Sequence, residues 1–140
     1  MTDASNNADR YFAGTVVPAE GVVGRWVELS EIAPIQFMPG LVFRPVLGDR
    51  VLVNFVTYEP NTVVPLHAHT EEQLTFVIEG EFEFELDGNV RTLRPGTVAH
   101  IPAGVPHAAR TRDSPCTQID VFAPPRSVLV EAMTRLEGAS

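Results

Sequence analysis

Residues 65–73 read PLHAHTEEQ and place two histidines, His67 and His69, one residue apart. On an extended strand alternate side chains point to the same face, so these two imidazoles can converge on one ion. Gln73 follows a short Thr-Glu-Glu turn and begins the next predicted strand, where its amide oxygen can face the same point. The stretch therefore predicts a metal site that spans two strands and includes a neutral amide.

A third candidate ligand, His107, follows residues 101–106, IPAGVP, a proline-glycine turn that fixes the backbone before it. Three imidazoles and one amide suit one divalent transition metal, zinc, nickel, iron or manganese, with positions left for water or substrate. The alternative is that these histidines only fill a polar cavity. His100 alternates with Val98 and is not included in the predicted site. The predicted metal ligands are His67, His69, Gln73 and His107.

Short β-branched and aromatic runs, separated by some of the twelve prolines and ten glycines, extend on both sides of this stretch. Such spacing is typical of an antiparallel sandwich or barrel. Glu81–Leu86 alternates glutamate with Phe or Leu, which predicts a strand with an apolar inner face and a solvated outer face. Asp87-Gly88 then predicts a hairpin turn. Helical spacing of apolar residues occurs over 128–137, after Ser127 as a candidate cap.

The length of 140 residues fits one globular unit. We expect a flexible arm over residues 1–14 and a single domain over residues 15–140. No apolar run approaches the roughly 20 residues of a membrane-spanning helix, and the N-terminus lacks the features of a secretory signal. We therefore expect a cytoplasmic protein with no membrane partner. The single cysteine, Cys116, agrees with a reducing compartment and is expected to be a buried bystander.

The net charge of −8 and the scattered basic residues argue against a nucleic-acid partner, because no basic track is available for phosphates. All ten basic residues are arginine. The absence of lysine excludes a lysine Schiff base from the possible mechanisms. The expected partner is a small molecule.

Two motifs resemble those of the cupin family. The first lies in residues 62–80 and has the spacing His-x-His-x-x-x-Gln, closed by Gly80. The second lies in residues 96–111. Its matching residues are Gly96, Pro102, Gly104 and His107. The resemblance implies an all-β cupin barrel, a double-stranded β-helix or jelly roll, here with a short C-terminal helix. It does not imply one reaction, because cupins include isomerases, lyases, oxygenases, cyclases and binding modules.

Two positions depart from the family pattern. Gln73 stands where the family usually has a glutamate ligand, and Thr111 stands where the second motif often has asparagine. A neutral ligand set leaves the charge of a divalent ion uncompensated, which favours Lewis-acid chemistry on an oxygen or binding of an anionic substrate. It argues against the two-histidine, one-carboxylate arrangement of many iron oxygenases.

A narrower resemblance is carried by residues 119–126, IDVFAPPR. Together with the ligand set, this segment resembles the small cupins of pectin and alginate breakdown that linearise unsaturated uronates. That resemblance implies that Asp120, Phe122 and Arg126 line the pocket. Asp120 would move protons, with a surface position or orientation of a histidine ligand as the alternatives. Arg126 would hold a substrate carboxylate, with a plain surface charge as the alternative.

The predicted function is that of a metal-dependent lyase or isomerase that acts on an acidic small molecule. Ring opening of an unsaturated uronate is the specific version of this prediction. Three alternatives remain at this point: a cyclase similar to the cupins of aromatic polyketide pathways, a cupin dioxygenase, and a non-catalytic sugar-binding or effector-binding cupin. Small cupins often pair through strands or arms, and this family habit implies a homodimer.

Overall fold

The computed structural model describes residues 4–14 and 16–138, and within them ten strands form two antiparallel sheets. The strands are β1 (Ile35–Met38), β2 (Leu41–Leu47), β3 (Leu52–Tyr58), β4 (Val63–His67), β5 (Glu72–Gly80), β6 (Phe82–Leu86), β7 (Asn89–Leu93), β8 (Val98–Ile101), β9 (His107–Arg110) and β10 (Cys116–Ala123). The helices are α1 (Ala4–Phe12) and α2 (Ser127–Gly138), with a 3₁₀ turn at Leu29–Glu31. One sheet has the order β1-β2-β3-β10-β5-β8 and the other β4-β9-β6-β7. The predicted all-β architecture with a short C-terminal helix is confirmed.

The hairpin of β6 and β7 follows the sequence pattern closely. Phe82 and Phe84 point into the core, and Glu83 lies on the outer surface, where it pairs with arginines. Asp87 and Gly88 both have positive φ, 49° and 83°, as the two central residues of a tight turn between twisted antiparallel strands require. The predicted strand, its faces and its turn are therefore confirmed.

The registers of the strands decide which side chains face each other inside the barrel. In the six-stranded sheet Asp120 of β10 lies directly between Asn54 of β3 and Thr75 of β5. In the four-stranded sheet His67 of β4 pairs with His107 of β9. Since side chains alternate along each strand, the inner faces of the two sheets bring a histidine cluster opposite a row of polar groups.

The C-terminal helix α2 begins at Ser127, close to the predicted start, and buries Leu129 and Ala132. Leu129 packs with Leu52 and Phe122 in a small cluster at one end of the barrel. The backbone N–H of Ser127 donates to the Glu71 carboxylate at 3.0 Å. A carboxylate at this position is favourable because it faces the positive end of the helix dipole. This contact between distant segments was not predicted.

At the other terminus, α1 occupies Ala4–Phe12, within residues 1–14, for which the sequence predicts a flexible arm. Residues 1–3 lie outside the described part of the chain. Across the described ranges, the helices are too short or too polar to cross a bilayer.

Candidate metal centre

Three of the four histidines meet at the inner face of the four-stranded sheet. The ring centroids of His67 and His107 are 4.3 Å apart, and those of His69 and His107 are 4.9 Å apart. One nitrogen from each ring lies within 4.8 Å of the others, which makes the three rings candidate ligands of one ion. The structure thus brings together the three histidines that the sequence proposes as ligands.

Each of these rings is oriented by a backbone carbonyl. The Nδ1 atoms of His67, His69 and His107 lie 2.8, 2.9 and 2.9 Å from the carbonyl oxygens of residues 65, 71 and 105. Because a carbonyl oxygen only accepts, Nδ1 must carry the proton in each case. Each neutral ring therefore presents the lone pair of Nε2 to the cavity, as metal-bound histidines with an ordered outer partner do.

The amide of Gln73 has a fixed orientation. Its Nε2 donates to Thr75 Oγ1 at 2.7 Å and to Asp120 Oδ1 at 2.9 Å. Its Oε1 consequently turns towards His69 and lies 3.0 Å from Nε2 of that ring. With Nδ1 of His69 protonated, two lone pairs face each other across this distance, and only a cation or a proton between them relieves the repulsion.

The buried nitrogen of His107 points to the same conclusion. Its Nε2 has no hydrogen-bond partner among the residues 4–14 and 16–138, although the residue is only 2% exposed. A buried polar atom without a partner is unfavourable, so a group that binds a lone pair is expected there. The three Nε2 atoms and the Gln73 oxygen fit a divalent transition metal well.

The charge states of the rings suit the same role. Burial lowers the pKa of His107 to about 4, and the neighbouring rings and Arg126 also oppose its protonation. Burial also lowers the pKa of His69, with the charge of Arg126 as the next contribution. Both rings are therefore neutral at pH 7, the state in which an imidazole binds metal.

Asp120 lies behind Gln73, on the six-stranded sheet. Its Oδ1 accepts from Gln73 and from Thr75 Oγ1, the latter at 2.7 Å, and its Oδ2 accepts from Gln118 Nε2 at 3.2 Å. Burial raises the pKa of the Asp120 carboxyl, and the hydrogen bonds from Thr75, Gln118 and Gln73 only partly oppose this. The residue lines the cavity beside the histidine cluster, so a surface position is excluded.

Arg126 also lines the cavity, but it already has an anionic partner. Its Nη1 lies 3.4 Å from Oε1 of Glu71, whose other oxygen binds the N-terminus of α2. Burial disfavours the Glu71 charge, yet the backbone N–H groups and Arg126 outweigh it and lower the pKa of this carboxyl. A substrate carboxylate at Arg126 would share the guanidinium with Glu71.

The cavity next to these groups has a volume of about 360 Å³, within the range of small-molecule sites. Phe122 forms part of its wall, 5.7 Å from the His69 ring. Its polar side consists of the histidine cluster, Gln73, Thr75, Asp120, Asn54, Gln118 and Arg126. Its remaining wall is mostly apolar and includes Phe37, Met38, Leu41, Phe43, Tyr58, Val64, Phe82, Phe84, Val128 and Leu129. Asn54, Tyr58, Gln118 and Glu71 were not among the predicted site residues.

Two residues outside the predicted site stay outside it. His100 lies on the surface, where its Nε2 is 2.7 Å from the Glu72 carboxylate. Cys116 is buried, and burial raises the pKa of its thiol to about 11, which leaves it protonated at neutral pH. The expectation of a buried cysteine is confirmed.

Fold and site together define a barrel with a tri-histidine cluster at one end of an internal cavity. Comparison with protein families gives the same class, because residues 54–122 match the family described as "Cupin domain". The chain is a small cupin, and the matched segment contains every residue of the histidine cluster, Gln73 and Asp120.

The individual proteins that resemble this chain are named for different activities. The dimethylsulfoniopropionate lyase DddQ of Ruegeria pomeroyi is 41% identical over 66 residues, which are 46% of this chain and 33% of that protein. The chain thus matches about a third of the length of this curated relative. The structure of KdgF from Halomonas sp. superposes with a TM-score of 0.72 at 27% identity, covering 76% of this chain and 99% of that one. The polyketide cyclase RemF from Streptomyces resistomycificus, with a TM-score of 0.66 at 22% identity, covers 72% and 80% and shows the fold alone.

Proposed function

We propose that the protein is a metal-dependent lyase or isomerase of a small acidic molecule. His67, His69, His107 and the Gln73 oxygen hold one divalent transition metal in this proposal, whose identity the ligand types leave open among zinc, nickel, iron and manganese. The observation that carries it is the convergence of unpaired lone pairs, above all Gln73 Oε1 at 3.0 Å from His69 Nε2. A divalent ion held there supplies a Lewis acid for a substrate oxygen.

The specific reaction we propose is ring opening of an unsaturated uronate. In this reaction the anomeric hydroxyl loses its proton, the bond between the anomeric carbon and the ring oxygen breaks, and an aldehyde and an enol form. The enol then becomes a ketone as its hydroxyl group loses a proton and the neighbouring carbon takes one, so the reaction is a redox-neutral isomerisation. A buried carboxyl with a raised pKa suits this transfer, and Asp120 lies beside the ligand cluster. Phe122 and Arg126 complete the Asp-x-Phe-x-x-x-Arg resemblance, as pocket wall and as anchor of the substrate carboxylate.

A second candidate is elimination from a small sulfonium carboxylate. The 41% identity to a dimethylsulfoniopropionate lyase over 66 residues favours it. The aromatic side chains of Phe43, Tyr58, Phe82 and Phe84 in the cavity wall also favour it, because the faces of aromatic rings attract cations.

The test combines elemental analysis of the purified protein with two activity assays. The first follows loss of the ultraviolet absorbance of an unsaturated uronate, and the second follows release of dimethyl sulfide from dimethylsulfoniopropionate, both with and without chelator. Chelator-sensitive loss of absorbance supports the uronate reaction, whereas release of dimethyl sulfide alone replaces it by the second candidate. His107→Gln should abolish metal content and turnover, and His100→Gln, a change at an exposed histidine, is the matched control. Inertness towards both substrates with metal bound contradicts both reactions.

A cytoplasmic location and a homodimeric assembly stay predictions within this proposal. Light scattering at micromolar concentration tests the assembly, and a monomeric mass contradicts it. The described residues carry exposed apolar side chains before β1, including Val23 and Trp26, which a second copy would cover.

A further inference from the structure

A column of polar side chains leads from the histidine cluster along the inner face of the six-stranded sheet. Gln73 of β5 marks its start, opposite Phe122. The next row contains Thr75, Asp120 and Asn54, and Gln118 follows two residues away on β10. Alternate residues of a strand are separated by about 7 Å, so the row that contains Asn54 lies about 7 Å from the row of Gln73 along the strand direction.

Two oxygen atoms of this column are not among the candidate metal ligands. Asn54 Oδ1 and Gln118 Oε1 are buried, and neither has a hydrogen bond of good geometry within the described part of the chain, although the Tyr58 side chain lies near the Gln118 amide. The two residues are 1% and 2% exposed, and both line the cavity. Buried carbonyl oxygens are nearly always paired, so these two positions call for a donor from a bound molecule or from water.

The orientation of the Gln118 amide is fixed by its neighbour. Its Nε2 donates to Asp120 Oδ2, and a carboxylate oxygen has no hydrogen to give, so a flipped amide would lose this bond. The Gln118 oxygen therefore stays directed away from Asp120 as an acceptor. Because Asp120 already receives hydrogen bonds from three side chains, a cationic group has little free carboxylate to pair with. Neutral donors fit the two amide oxygens better.

We propose that Asn54 and Gln118 form a subsite that accepts hydrogen bonds from substrate hydroxyl groups. The ligand class that such a subsite next to the metal centre would bind is a polyhydroxylated carboxylic acid. This rests on the proposed function and deepens it. One end of such a ligand lies at the metal centre. Asn54 lies one step of about 7 Å beyond the row of Gln73, and Gln118 lies one step further along β10 with its amide turned back towards Asp120. A site built to bind hydroxyl groups rejects ligands without them, because its own buried acceptors stay unpaired.

The experiment compares two acids of similar size on the metal-loaded, full-length protein by isothermal titration calorimetry. D-galacturonate carries hydroxyl groups on its ring, and cyclohexanecarboxylate carries none. Wild-type protein should bind galacturonate at least tenfold more tightly. Equal affinity, or a preference for cyclohexanecarboxylate, overturns the subsite without the use of any variant.

Variants assign the preference to residues. Asn54→Leu and Gln118→Met should each weaken galacturonate binding about tenfold and leave cyclohexanecarboxylate binding within about twofold of wild type. Thr117→Val, beside Gln118 but with its side chain on the opposite face of the sheet, is the matched control and should change neither affinity. Equal weakening of both acids would indicate a purely structural role and contradict the assignment, as would unchanged galacturonate affinity.

The subsite and the proposed reaction can fail separately. Hydroxyl-dependent binding of galacturonate without turnover of an unsaturated uronate refutes the reaction and leaves the subsite in place. Turnover of the uronate by Asn54→Leu and Gln118→Met with unchanged KM refutes the subsite and leaves the reaction. For Asn54→Leu the subsite predicts a rise in KM with little change in kcat. Gln118→Met also loses the hydrogen bond to Asp120, so for this variant only the rise in KM tests the subsite.

Discussion

Replacement of Gln73 by glutamate, the residue that the family pattern usually has, should destabilise the metal-free protein. The amide Nε2 of Gln73 donates to Asp120 Oδ1 at 2.9 Å. In Gln73→Glu an oxygen replaces this nitrogen, and two carboxylates face each other at that distance. Their repulsion is about 6 kcal/mol at an effective dielectric constant of 20, which corresponds to about four pKa units. One of the two carboxyls should therefore keep a proton at pH 7.

The expected loss of stability follows from this proton. A carboxyl has a pKa of about 4.3 in the unfolded chain, so holding it protonated at pH 7 costs about 4 kcal/mol. Since the folded pKa is raised, the folded state binds more protons, and the variant recovers stability as the pH falls. The difference from wild type should shrink to about 1 kcal/mol at pH 5.

Urea unfolding of the chelated protein at pH 5, 6 and 7 measures this difference. Gln73→Met, which removes the amide without adding a charge, should show a loss that does not change with pH. In the double variant Gln73→Glu with Asp120→Asn, the new amide restores a donor between the two positions and should recover most of the stability. A Gln73→Glu protein as stable as wild type at pH 7, with no dependence on pH, would refute the described orientation of the Gln73 amide.

Three further predictions test other groups of the site. Asp120→Asn should keep its metal, because the new amide oxygen still accepts from Gln73. It should lower kcat by about 100-fold or more in the uronate assay. Loss of metal would instead show that Asp120 acts by orienting a metal ligand. Glu71→Gln should lower the free energy of unfolding by about 2 kcal/mol because Arg126 loses its buried partner. The control Glu72→Gln, at the surface, should change it by less than about 0.5 kcal/mol in the same urea titration. Equal effects of the two variants would contradict a stabilising contact between Glu71 and Arg126. Burial lowers the pKa of His107 to about 4, so the unfolded chain takes up a proton at this residue before the folded protein does as the pH falls. The free energy of unfolding of the metal-free protein should therefore decrease by up to about 3 kcal/mol between pH 6.5 and pH 4. The same pH dependence in a His107→Gln protein would contradict this.

The sequence predicted the parts of the site that depend on local spacing. His67 and His69 share a face because strands have a period of two, and the turn before His107 returns the chain to the same point. Asp120 and Phe122 face the cavity together for the same reason. The Asp-Gly hairpin and the C-terminal helix followed equally from local signals.

The remaining site residues depend on contacts between distant segments. Glu71 and Glu72 are adjacent and chemically identical, yet one is buried against Arg126, 55 residues away, and the other lies at the surface with His100. The turn before β5 interrupts the alternation that would tell them apart. In β3, apolar residues occur on both faces, so the sequence pattern does not predict that Asn54 faces inward. Its direction is set by pairing with β2 and β10.

The most direct test of the metal centre is a titration of the metal-free protein with Zn²⁺, followed through the imidazole ¹⁵N resonances of its four histidines. The Nε2 resonances of His67, His69 and His107 should shift together and saturate at one equivalent, while Nδ1 of each ring stays protonated. The surface ring of His100 is the internal control and should not respond. Shifts that need a large excess of Zn²⁺, or that involve His100 as strongly as the other three rings, would contradict a metal centre at this cluster.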